Sequence, residues 1–143
     1  MPRPLFIQWQ NKSNTGVPLL DEQHRGLVSI INSLYFLTER GTCDIVLCIS
    51  ACKTIKSASR IHFLTEERIL QAAEYPDLEN HIEIHKKLTI ELERSEKEAL
   101  INNDPMVFLK FLKKWWVEHI NEDDMDYVPC LREYEKRSGN LIY

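Results

Sequence analysis

The chain has 143 residues, 43% of them hydrophobic and 28% charged, the balance of a single globular domain with one continuous core. Its formal net charge of -4 arises from 18 basic and 22 acidic side chains with no long block of either sign, which speaks against nucleic acid or an anionic membrane as partner. The apolar runs fall well short of the roughly 20 residues that cross a membrane, and the opening MPRPLFIQWQNK has no signal-peptide core. One domain over residues 1–143 and a cytoplasmic location are therefore expected.

Glycine and proline are scarce and divide the chain at a few places. After an irregular N-terminal arm ending near Pro18, a first helix is expected from about Asp21 to Arg40, stopped by Gly41. A second runs from about Asp44 to Ala73 and ends before Tyr75-Pro76, because proline disfavours helical geometry in the residue ahead of it. A third covers about Asp77 to Ile101. Asp104 and Pro105 read as an N-cap and first helical residue, opening a fourth helix that reaches about Glu122. A tail with Pro129 and Gly139 follows. Amphipathic helices with short connections pack most simply as an all-α, up-down-up-down four-helix bundle.

Cys43, Cys48, Cys52 and Cys130 are expected as buried free thiols, because cytosolic disulfides are uncommon and three of them share one apolar helical stretch. Cys48 and Cys52 lie one turn apart but have no matching second pair, so a zinc site is weakly supported.

The inward stripes follow steps of three and four. They run His24, Leu27, Ile31 and Leu34 on the first helix, and Cys52, Ile55, Ser59, His62, Glu66 and Ile69 on the second. Leu78, His81, His85, Leu88 and Leu92 form the third, and Phe108, Leu112, Trp115 and His119 the fourth. All five histidines of the chain thus fall on core-facing positions. A lone histidine there is usually a satisfied core residue. Burying all of them with a carboxylate costs on the order of several kcal/mol unless something shares their lone pairs, which a metal does. His62 and Glu66 are i and i+4, as are His81 and His85, so each pair leaves one helix face and can converge.

The segments LLDEQHRGL (19–27), HFLTEERIL (62–70), HIEIH (81–85) and HINEDDMDY (119–127) resemble the metal-binding segments of bacterial hemerythrins in order and spacing. The resemblance covers essentially the whole chain, including the N-terminal arm with Phe6 and Trp9. It implies two iron ions and no haem, with His81, His85 and His119 on one ion, His24 and His62 on the other, and Glu66 and Asp124 bridging them. Asp124 rests on the resemblance alone. It lies five residues after His119, roughly 140° around an ideal helix, so the fourth helix must end or distort there. Asp123 is the easier partner by periodicity. A solvated helix end is the expected setting of Glu122, Asp123 and Asp126.

With that ligand set, one ion is closed and the other keeps an open position. The resemblance then implies reversible dioxygen binding at the iron held by His24 and His62, for storage, delivery or sensing. It also implies a ligand pocket lined by Leu27, Phe63, Trp115 and Ile120. Trp116 departs from the leucine usual at its place, and either narrows ligand access or faces outward. Zinc or manganese also suits such donors, but the chain lacks the Glu-x-x-His pairs of ferritin-like di-iron enzymes. The alternative is a di-iron enzyme that reduces peroxide, nitric oxide or dioxygen, for which no nucleophile or general acid pattern is found. No feature identifies a protein partner.

Overall fold

The computed structural model describes residues 5–39, 41 and 45–139. Helix α1 spans Pro18–Glu39, α2 Ile45–Ala72, α3 Leu78–Ile101 and α4 Pro105–Trp115. These match the expected helices within a few residues; the expected end at Arg40, the expected start at Asp44 and Cys43 lie outside the described residues. Helix α1 packs on α2 and α4, and α3 packs on the same two, which with the short connections gives the up-down-up-down bundle.

Local chemistry fixes the helix starts. Pro18 opens α1 a few residues earlier than expected, at a position where its missing N–H is not needed. The arm is tied to that first turn by Asp21, whose Oδ1 accepts from the Thr15 N–H at 2.8 Å and the Thr15 hydroxyl at 2.9 Å, and whose Oδ2 accepts from the Gly16 N–H at 3.2 Å. Gly16 sits at φ +86, and a Cβ there would meet the Arg132 guanidinium at 3.0 Å. Asp104 caps α4 by accepting from the Met106 N–H at 3.1 Å, with Pro105 in the first turn.

The fourth rod does not stop near Glu122. It widens into a π-helical stretch, Trp116–Asp123, tightens into a 3-10 turn, Asp124–Tyr127, and continues as α5, Val128–Ser138. The expected tail is therefore helical. Pro129 lies in the first turn of α5, where proline starts a helix as readily as it breaks one, and Gly139 closes α5 in the left-handed region at φ 71.

The core is divided in two. The larger part, with Leu27, Ile31, Leu34, Ile55, Phe63, Phe108, Leu112, Trp115, Trp116 and Ile120, fills most of the bundle. The smaller part, with Val17, Leu20, Ile69, Leu70, Ala73, Tyr127 and Leu131, draws on α5 and the turn before it. The buried histidines lie between them. Cys52 is buried and free, as expected, and Cys130 is free but only partly buried. Cys48 is disulfide-bonded, against expectation. It sits in the first turn of α2, beside the connection from α1, and its burial suits a bonded sulfur as well as a thiol. Burial, with the charge of Glu96, pushes the Cys52 thiol up to about 11, which keeps it unreactive.

Candidate metal centre

Each rod of the bundle contributes to one buried polar cluster. His24 comes from α1, His62 and Glu66 from α2, His81 and His85 from α3, His119 from the π-helical stretch and Asp124 from the turn after it. None is more than 3% exposed. Their donor atoms form two overlapping groups, Glu66, His81, His85, His119 and Asp124 on one side and His24, His62, Glu66 and Asp124 on the other. Both carboxylates belong to both groups.

The carboxylate oxygens divide the same way. Glu66 Oε1 meets His81 Nε2 and lies 3.1 Å from His85 Nε2, while its Oε2 lies 3.4 Å from His62 Nε2. Asp124 Oδ1 lies 3.0 Å from His119 Nε2 and 3.4 Å from His81 Nε2, while its Oδ2 lies 3.4 Å from His24 Nε2. His24 and His62 face each other through their Nε2 atoms at 2.9 Å. The helix does depart from α geometry where Asp124 requires it, and the Asp124 N–H bonds the His119 carbonyl five residues back.

Burial alone would lower the imidazoles of His62 and His81, but hydrogen bonds and charge from Asp124 and Glu66 outweigh it and raise them to about 9 and about 10. His119 is raised against the same burial effect by Asp124. Burial pushes the carboxyls up, helped at Glu66 by the charge of Asp124, yet the surrounding histidines hold both well below the usual range. The pairing is still incomplete. His85 Nε2, His119 Nε2 and both oxygens of Asp124 are buried with no hydrogen-bond partner. Such atoms are rare in folded proteins and call for a missing ligand. Imidazole nitrogens and carboxylate oxygens aimed at common points fit a divalent cation.

Other side chains orient these donors. The His62 Nδ1–H donates to Gln23 Oε1 at 3.0 Å, and the His119 Nδ1–H to Asp123 Oδ2 at 3.2 Å, which leaves each Nε2 lone pair free for a metal. His85 Nδ1 lies 3.4 Å from Glu67 Oε2. The Tyr127 hydroxyl, fully buried, donates to Glu66 Oε2 at 3.0 Å. Burial, followed by the charge of Glu66, raises that phenol well above its ordinary value. Asp123 is thus a partner of His119 and not merely part of a solvated end, a correction that its i+4 spacing had signalled. Glu122 and Asp126 are exposed as expected. Gln23, Glu67 and Tyr127 carried no separate signal beyond lying beside, or one turn from, a donor residue.

The expected pocket residues Leu27, Phe63, Trp115 and Ile120 are all buried. Phe63 stacks on His85 with centroids 4.1 Å apart and meets Trp115 and His119 edge-on at 5.9 Å. Trp116 does not face outward. It is 2% exposed and packs edge-on against His24 at 5.9 Å.

Residues 15–131 match the hemerythrin HHE cation binding domain. The chain belongs to the hemerythrin family. Among its relatives, a bacteriohemerythrin of Pseudomonas aeruginosa is 27% identical over 127 residues, covering 88% of this chain and 82% of its own. A myohemerythrin of Theromyzon tessulatum is 27% identical over 127 residues, covering 89% and 93%. A hemerythrin-like protein of Naegleria gruberi is 28% identical over 129 residues, covering 90% and 96%. Hemerythrins bind non-haem iron, and among the described residues of this hemerythrin the histidine and carboxylate cluster fits a metal. None of its described helices is long and apolar enough to cross a membrane.

Proposed function

We propose that this hemerythrin holds two iron ions and binds dioxygen reversibly, as a storage, delivery or sensing protein. The observation that carries this reading is the division of each carboxylate. One oxygen of Glu66 and one of Asp124 face the group of His81, His85 and His119, and the other oxygens face His24 and His62. A single cation needs no such division, whereas a pair bridged by both carboxylates does. The donor sets then differ by one imidazole, so the ion on the side of His24 and His62 keeps a position for a small ligand.

Ferrous iron in that arrangement supplies the electrons and the vacant coordination position that reversible dioxygen binding requires. The protein supplies the rest. Gln23 and Asp123 fix the tautomers of His62 and His119, and Tyr127 fixes Glu66 through Oε2. Leu27, Phe63, Trp115 and Ile120 keep bulk water from the site.

Metal analysis with an ultraviolet-visible spectrum of the air-exposed protein tests the assignment. Two irons per chain with charge-transfer bands of an oxygen-bridged pair are expected, and His62→Ala or Glu66→Ala should abolish the bands. Their persistence in either variant means that the ligands are misassigned. Stopped-flow mixing of the reduced protein with dioxygen should give an adduct that reverses under vacuum, while rapid decay with consumption of electrons means an enzyme.

A further inference from the structure

The histidines of the cluster are not held alike. Nδ1 of His62 and of His119 each has a hydrogen-bonding acceptor, and Nδ1 of His85, though not hydrogen-bonded, lies 3.4 Å from the Glu67 carboxylate. Nδ1 of His24 is fully buried with no partner. Its ring is held by other rings, edge-on to Trp116 at 5.9 Å and to His62 at 4.3 Å. Trp116 in turn carries Trp9 at 5.4 Å, and the Arg25 guanidinium lies 5.1 Å over the Trp9 ring. Trp9 belongs to the N-terminal arm, which is fastened nearby. The Ile7 N–H donates to Asn32 Oδ1 at 2.8 Å, and Asn32 Nδ2 donates back to the Ile7 carbonyl at 2.9 Å. Phe6 stacks on Tyr35 at 4.6 Å. The arm, the π-helical stretch and α1 thus meet at one stack of rings against His24.

We infer that Trp116, backed by Trp9, is the positioning residue of His24, doing by aromatic packing what a hydrogen-bond acceptor does for His62 and His119. Resting on the two-ion reading above, this makes metal affinity on the side of His24 and His62 depend on the N-terminal arm, while the side of His81, His85 and His119 does not depend on it. An imidazole with an unfilled Nδ1 is free to rotate once its packing is lost, and removing the partner that orients a ligating imidazole typically weakens metal binding about 10–100-fold. Phenylalanine keeps a ring edge at the same place. Leucine does not.

The test is isothermal titration of the metal-free full-length protein with cobalt(II), comparing wild type, Trp116→Leu, Trp116→Phe and Trp9→Ala. His62→Ala, which lacks one side, identifies the two transitions. Wild type should take up two ions. Trp116→Leu should weaken the transition of the His24 side about 10-fold or more and leave the other within about threefold, and Trp116→Phe should restore it. If circular dichroism shows Trp116→Leu to be unfolded, Trp9→Ala carries the test, with a selective loss of about threefold or more expected. Fewer than two ions on wild type overturns the two-ion reading and this inference with it. Two ions on wild type, with both transitions unchanged or equally weakened in the variants, overturns this inference alone.

Discussion

Removing the metal should cost this hemerythrin a large part of its stability. Four buried atoms that face the centre of the cluster, His85 Nε2, His119 Nε2 and the two oxygens of Asp124, have no hydrogen-bond partner. An unsatisfied buried polar group costs about 1–3 kcal/mol. The low end applies, because each of these atoms still lies 3.0–3.4 Å from an oppositely polarised neighbour. The total is about 4 kcal/mol, against a typical net stability of about 5–15 kcal/mol for a whole domain. For a chain of this size, about 2–4 °C of melting temperature accompanies each kcal/mol, so the shift should be roughly 10 °C. Calorimetry of chelator-stripped protein against protein reloaded with ferrous iron under anaerobic conditions measures it. A difference below about 3 °C would mean that the orphaned atoms find other partners and that the cluster is not organised around a cation.

The metal-free protein should also lose stability in alkali. His62 and His81 are raised from 6.5 to about 9 and about 10, so their contribution is complete below pH 6.5 and disappears as pH rises through those values. The lowered carboxyls of Glu66 and Asp124 contribute above the ordinary carboxylate range and are lost in strong acid. Urea midpoints between pH 6 and 10.5 should therefore fall, and a flat profile contradicts the ion pairing described. Leu131→Ala should cost about 2–4 kcal/mol by urea denaturation, because this side chain, 2% exposed, joins α5 to the smaller core; a cost under about 1 kcal/mol means that α5 is not docked. Glu74 is exposed and sits in the left-handed region at φ 56, so Glu74→Gly should stabilise by roughly 0.5–1 kcal/mol. Destabilisation on the same assay would refute that reading of the α2 to α3 connection.

The bundle was legible in the sequence because its signals are local. Gly41, the Tyr75-Pro76 pair and the Asp104-Pro105 pair stand where helices end or begin, and the stripes from Cys52 to Ile69 and from His24 to Leu34 are the buried faces observed. What escaped depends on context. Pro129 reads equally well as a break and as a first-turn residue, and only the docking of Leu131 and Tyr127 into the smaller core makes the helical continuation worth forming. Cys48 reads as one more buried apolar residue, since nothing in its helix shows the bond it makes. Trp116 reads equally well as narrowing ligand access and as facing outward, because its neighbour Trp115 already fills the stripe. The widened turn makes room for both to face inward, and both are buried.

That widening also explains how two consecutive aspartates serve one imidazole. In an α-helix the residue four positions on shares the face of His119 and the residue five positions on does not, and Asp123 takes the former place at Nδ1. Opening the turn so that the Asp124 N–H reaches back five residues brings the next carboxylate to Nε2 at 3.0 Å without displacing the first. One aspartate orients the ring and the other faces the cluster, and the following tight turn delivers Tyr127 to Glu66. Acidic residues at both the fourth and fifth positions after a buried histidine are thus a sequence signal for a π-helical turn at a metal centre. Periodicity alone, which admits only the first of them, could not have supplied it.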